Sequence, residues 1–200
     1  MGMGTKTNKE KRLNGKDLIN IGIFTAIYFV IIFICAILGM IPIFVILIGV
    51  IAPILAGAPI MLFLTRVNKY GMIFTMSIIV GILMLFTGMG YYPLLVAVIT
   101  GIVAELIFKA GKGNTPKRMT LTYAVFSLWC WGNYVLMFVN KEAYYETRAN
   151  FGENYIDTLT TMTPMWLMYV LIPVVFISGV IGGVIGKAIM KKHFVKAGIV

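Results

Sequence analysis

Acidic residues, histidine and cysteine are all scarce in this chain, which carries 7 Asp and Glu, 1 His and 2 Cys among 200 residues. Each shortage closes a class of function. The lone His193 sits in a basic C-terminal tail, so no histidine-based metal cluster or histidine-dependent triad can be built at membrane depth. Cys35 and Cys130 have no CxxC spacing and read as small apolar packing residues. Glu105 is the only acidic residue near the interior of an apolar run, which leaves no pair of acids for a membrane protease. Its position four residues before Lys109 reads as a helical i,i+4 ion pair. A GxxxxGK[ST] phosphate loop is missing as well, so ATP hydrolysis by that route is excluded, and active transport would draw on another subunit or an ion gradient. No enzymatic activity and no cofactor are expected.

Charge as a whole is sparse: 12% of residues are charged, against roughly 25% in soluble domains. What fills the chain instead is apolar, 60% of residues, with a mean hydropathy of +0.95. Long apolar runs at about residues 18–40, 41–64, 71–87, 91–108, 119–140 and 164–187 each approach the roughly 20 residues a helix needs to cross a bilayer. They lack the alternation of a membrane barrel, and lipid offers no partners for open backbone. The expected fold is therefore an all-α integral membrane protein with six transmembrane helices in one bundle. Residues 1–17 form a basic cytoplasmic segment, 18–190 the membrane domain with an external loop at 141–163, and 191–200 a basic cytoplasmic tail. The weakest division is the first, where only Gly39-Met40-Ile41-Pro42 marks a turn.

Of the 17 Lys and Arg, all but Lys141 and Arg148 fall before the first run, after the second, after the fourth, or at and beyond the end of the sixth. Those two share their loop with Glu142, Glu146, Glu153 and Asp157, which makes it net acidic. By the positive-inside rule both termini are cytoplasmic and this loop is external. The net charge of +10 is thus a topology signal rather than a nucleic-acid footprint. The apolar run after the N-terminal segment exceeds a signal-peptide core and lacks a cleavage site, so that segment is expected to be retained.

Several features depart from plain lipid-facing helix. Gly22 and Ala26 form a small-xxx-small pair that admits close approach of another helix. Gly179/Gly183 and Gly182/Gly186 are assigned mainly to packing within the chain. Pro42, Pro53 and Pro59 should bend or break the second run, and such a span can border a cavity. At the outer ends, Tyr91 and Tyr92 either cover a pocket or belong to the interfacial aromatic belt. Asn133, a turn or two below the outer surface, either bonds a neighbouring helix or meets a ligand. The loop of about 23 residues is long for a connector in so small a bundle. It enters the last run with Thr163 as N-cap and Pro164 as helix start. An outward-facing site of Tyr91, Tyr92, Trp131, Asn133, Tyr134, Arg148 and Trp166 uses these features together. Aromatic side chains would enclose the ligand, Asn133 donate and accept, and Arg148 pair an anionic group.

The basic N-terminus leading into Lys16-Asp-Leu-Ile-Asn-Ile-Gly22-Ile-Phe-Thr-Ala26-Ile-Tyr-Phe, the six spans and the outward aromatic loops resemble the substrate-binding S-components of energy-coupling factor (ECF) transporters. A closer likeness is to the integral membrane family called Trep_Strep, carried by Gly88-Met-Gly-Tyr-Tyr-Pro-Leu-Leu, Tyr123-Ala-Val-Phe-Ser-Leu-Trp129 and Lys191-Lys-His-Phe-Val-Lys-Ala-Gly-Ile199. This resemblance implies a subunit that captures a micronutrient such as a vitamin outside and delivers it inward when a T-component and two ATPase subunits act on it. In S-components an AxxxA-type motif on the first span faces the T-component. Gly22 and Ala26 match that spacing, with Gly for the first Ala. A haem or metal cargo would invite histidine ligands, leaving only Tyr or Met here. The alternatives are a stand-alone transporter or channel, for which embedded acids or inverted repeats would be expected, and a membrane enzyme.

Overall fold

The computed structural model of the protein describes residues 12–110 and 115–194, and these form helices, turns and short connections with no strand among them. Lys6, Lys9, Lys11, Lys112 and Lys196, part of the positive charge expected on the cytoplasmic side, lie outside the described residues. The first helix, α1 (Gly15–Ile37), starts with a reciprocal cap. Asn14 Oδ1 accepts the Asp17 N–H at 3.0 Å, and the Asp17 carboxylate accepts the Asn14 N–H at 2.8 Å. After a 3₁₀ turn at Leu38–Met40, Pro42 opens α2 (Pro42–Leu55), and α3 (Gly57–Arg66) follows with its axis turned by 42°. The break is the expected proline effect, because Pro53 has no N–H to offer the carbonyl one turn earlier.

The chain continues with α4 (Met72–Leu85), α5 (Tyr92–Lys109) and α6 (Pro116–Ser127). A 3₁₀ turn at Leu128–Trp131 joins α6 to α7 (Gly132–Val139). The loop expected at 141–163 is itself largely helical, with α8 (Lys141–Glu146), a 3₁₀ turn at Ala149–Phe151 and α9 (Glu153–Met162). The last helix is α10 (Met165–Ile189). Its start corrects one expectation: Pro164 itself stands at the N-cap, while the buried Thr163 hydroxyl turns back to donate to Leu159 O at 2.7 Å.

Four helical units are long and apolar enough to cross a membrane, 15–40, 92–109, 116–139 and 165–192, and the bent α2–α3 pair makes a fifth if counted as one span. The remaining segment, α4, has 14 residues. At ~1.5 Å per residue it reaches about 21 Å, less than the ~30 Å hydrocarbon core. The α6–α7 unit is central, with 72% of its apolar window buried, whereas α1 and α10 bury 33% and face outward. Ile19, Ile23, Phe33, Ile177 and Val184 are among the large apolar side chains they expose. Such surface suits lipid rather than water.

The glycines of α10 pack inside the molecule, as expected. A methyl group on Gly57 would overlap the Gly182 carbonyl, one on Gly182 would overlap Pro53 O, and one on Gly186 would lie 2.6 Å from Gly57 O. Between α4 and α5, the Ser77 hydroxyl donates to Ala97 O at 2.6 Å beside Gly101. Gly22 differs: a side chain there would meet nothing within 4 Å, and Ala26 is exposed beside it.

Contacts at the two ends of the bundle identify which connections share a side. At one end Lys69 Nζ pairs with the Asp17 carboxylate at 2.7 Å, tying the start of α1 to the α3–α4 connection. Also at this end, Glu105 Oε2 accepts the N–H groups of Ile73 at 2.9 Å and Phe74 at 3.1 Å. Here the structure departs from the Glu105–Lys109 ion pair. The carboxylate crosses to cap the first turn of α4, where unpaired N–H groups and the helix dipole favour an anion, and the Lys109 ammonium lies over the Tyr70 ring, 5.3 Å from its centroid. At the opposite end Tyr155 OH donates to Gly39 O at 2.6 Å, and Arg148 reaches Met89 Sδ at 3.7 Å.

Candidate ligand cavity

A cavity of about 300 Å³ opens at this second end. Its walls are Ile32, Phe33 and Ala36 of α1, Val45, Ile48 and Ala52 of α2, Met84 of α4, and Trp129, Cys130, Asn133 and Tyr134 of the α6–α7 unit. Thr87 and Met89 border it from the α4–α5 turn, and Tyr144, Thr147, Arg148 and Phe151 from the loop helices. Each wall has a local reason. The α2 wall belongs to the proline-bent pair. The α4–α5 turn is held by left-handed backbone at Gly88 (φ 79°) and Gly90 (φ 68°), a conformation that favours glycine. Asn140 caps α8 by accepting the Ala143 N–H at 3.1 Å.

Most polar groups around the cavity are already engaged. Tyr134 OH donates to Val45 O at 3.1 Å, Thr87 Oγ1 to Met84 O at 2.7 Å and Thr147 Oγ1 to Tyr144 O at 2.7 Å. The Trp129 indole N–H donates to the buried Tyr28 hydroxyl at 2.7 Å. The amide of Asn133 is half used: Nδ2 donates to Cys130 O at 3.2 Å, while Oδ1 is buried with no partner. Buried polar atoms are nearly always satisfied, so this acceptor marks a place where a partner belongs.

Arg148 has the opposite character. Its guanidinium lies over the Tyr144 ring, 3.7 Å from the centroid, and donates to Thr147 Oγ1 at 2.8 Å and Tyr144 O at 3.4 Å. Burial pushes the Tyr144 phenol up to about 12, partly offset by the charge of Arg148. The Tyr155 phenol is likewise raised by burial, with Arg148 acting against the shift. Both loop tyrosines are therefore neutral hydrogen-bonding groups at ordinary pH.

Of the side chains proposed from sequence, Asn133, Tyr134 and Arg148 meet in this cavity. The other four stand elsewhere. Tyr91 is exposed and stacked on Tyr92, ring centroids 4.5 Å apart, while Tyr92 packs on the cluster around Tyr134 and Tyr144. Trp131 donates its N–H to Met168 O at 2.8 Å, joining the 3₁₀ turn before α7 to α10, and Trp166 is exposed on α10. The apolar wall of α1 and α2 was not named from sequence, although Pro53 had suggested a bent span beside a cavity. Ile32, Ile48 and Met84 carry no sign that separates them from ordinary core.

A family model described as a hypothetical bacterial integral membrane protein (Trep_Strep) matches residues 15–196. No curated protein and no solved structure matches the chain.

Proposed function

Because the chain belongs to the Trep_Strep family of bacterial integral membrane proteins, we propose that it is the substrate-capturing subunit of an ECF-type importer. It binds a small micronutrient at the extracellular end and passes it inward when coupled to a T-component and two ATPase subunits, with no catalysis of its own. The observation that carries this reading is the cavity bordered by the loop helices, with a buried acceptor on Asn133 awaiting a partner. Ligand sites are typically concave, mainly apolar and equipped with a few polar groups, and this cavity has that make-up. The lack of any phosphate loop in the sequence fits a subunit energised by others.

In this proposal the chain crosses the membrane six times, with α2–α3 as one bent crossing and α4 as a short one. Support comes from the end contacts: Asp17 reaches Lys69 at one end, while Gly39 and Met89 reach the loop helices at the other. Both termini are then cytoplasmic and the cavity faces outward. The exposed notch at Gly22 and Ala26 is the surface offered to the T-component.

A stand-alone ion-coupled transporter draws on one specific observation, the buried Glu105 with Oε1 unpartnered. Its other oxygen holds two backbone N–H groups, which gives the carboxylate a structural task. Affinity purification of the tagged chain from its own host, under mild detergent, separates the two. Recovery of two ATPases and a T-component is expected, whereas reproducible isolation of the chain alone, with substrate transport by the purified protein in vesicles, contradicts the proposal.

A further inference from the structure

The polar inventory of the cavity specifies more than its size. Resting on the reading that this cavity is the ligand site, we infer that its occupant is a small organic anion with a hydrogen-bond donor at the end remote from the charge. The donor meets Asn133 Oδ1, and the anionic group meets Arg148.

The amide orientation at Asn133 is fixed by its neighbour. With Nδ2 on Cys130 O at 3.2 Å, exchanging the amide nitrogen and oxygen would set two acceptors face to face. The unpaired atom is therefore the oxygen; it is sealed from the empty cavity, so a ligand that brings the N–H or O–H meets it as the Asn133 side chain turns toward that donor. Because the oxygen is out of contact with solvent, a ligand lacking that donor leaves it unsatisfied after binding.

Arg148 is the only charged side chain among the described residues that line the cavity, and its contacts with the Tyr144 ring and carbonyl, Thr147 Oγ1 and Met89 Sδ bring it no negative charge. No carboxylate lies within ion-pair distance of it among the described residues. A guanidinium stacked on Tyr144 is oriented but not neutralised, and its fork suits a carboxylate or similar group. Low-dielectric walls strengthen this preference and oppose a cationic ligand.

Size and placement complete the description. The volume of about 300 Å³ stands at the small end of the roughly 300–1,000 Å³ range of ligand pockets and suits a molecule of one or two rings. Asn133 lies six residues inside the end of α7 at Val139, about 9 Å along a helix at ~1.5 Å per residue, and Arg148 lies beyond that end in the loop. The ligand thus enters donor first, with its charge at the mouth and its rings against Ile32, Ile48 and Met84.

The test uses the full chain in detergent and calorimetric titration with matched probes. One set is 4-aminobenzoate, its neutral amide and its N,N-dimethyl form; the second is indole-3-propionate, its amide and its N-methyl form, with tryptamine as the cation. Within at least one set the acid carrying a free N–H is expected to bind about tenfold or more tightly than either the amide or the N-methylated acid. In Arg148→Gln the acid-to-amide ratio should fall to about one, while Arg148→Lys retains an acid preference and guards against a misfolded variant. Asn133→Leu should remove the N-methyl discrimination and leave the acid preference. Amides or tryptamine binding as well as the acids, an acid preference that survives Arg148→Gln, or no binding by either set at millimolar concentration would each overturn the inference. The cavity-filling Ala36→Phe distinguishes the two levels. If it abolishes binding that shows no acid preference, the inference about charge fails and the cavity stands; if it leaves tight binding untouched, the cavity itself is the wrong site.

Discussion

Asn133 and Trp131 stand two residues apart and have different tasks, and the geometry of the helix is the reason. At roughly 100° per residue, two positions on are about 200° around the axis, so the pair faces opposite ways. Asn133 lines the cavity, and Trp131, in the turn that leads into α7, secures that turn to α10 through Met168 O. Residue type alone flagged both; only the facing of the helix separates them. Asn133 and Arg148 were legible because an amide or a cation in apolar surroundings needs a partner. Glu105 was misassigned for a related reason: spacing along one helix offered Lys109, but the N–H groups of Ile73 and Phe74 on the neighbouring helix were invisible in sequence. Replacing Glu105 with Ala should therefore destabilise the fold by about 1–3 kcal/mol, and Glu105→Gln by less, since it keeps one acceptor. Thermal unfolding in detergent measures both, and an unchanged midpoint for Glu105→Ala would refute its role as the α4 cap.

Between elements, glycine does two different things in this chain. Gly57, Gly182 and Gly186 allow α3 and α10 to touch backbone to backbone, whereas Gly22 lies on an open face of α1. Sequence spacing marked the α10 glycines and the α1 pair alike, and it could not say which notch was filled from within. Gly182→Ala is expected to cost about 1–3 kcal/mol or more, because the atoms a methyl group would strike belong to the rigid backbone of Pro53 and Ile54 rather than to a side chain that can turn aside. Gly22→Leu and Ala26→Leu should leave the stability and ligand binding of the isolated chain unchanged while weakening assembly with the T-component, measured by co-purification. Loss of ligand binding with intact assembly would contradict that assignment of α1. The loop helices give a third expectation. Tyr155→Phe removes the bond to Gly39 O, worth about 0.5–1.5 kcal/mol, and hydrogen exchange in residues 141–163 should accelerate. Unaltered exchange would show that this bond does not hold the loop over the cavity.

At the scale of the whole molecule, composition made the membrane class legible and the apolar runs located nearly every long helix. Less legible were the lengths: α4 shares the hydropathy of its neighbours yet stops at Leu85, where the turn at 86–91 begins. The loop at 141–163 is rich in polar and aromatic residues, and its folding into α8 and α9 depends on contacts with the Leu38–Met40 turn, α2 and α7 that no local pattern encodes. The proposed topology has its own check. A cysteine placed at exposed Phe151 should be labelled by a membrane-impermeant thiol reagent applied to intact cells, and one at exposed Lys117 should not. The reverse pattern would invert the protein and put the cavity inside. Capture of a ligand is tested most directly by native mass spectrometry of the chain gently purified from its own host, with release and identification of whatever it holds. One small organic anion per chain, lost in Asn133→Leu and Ala36→Phe, is the expected result; a chain that is empty, or whose bound molecule is indifferent to both substitutions, would contradict the account.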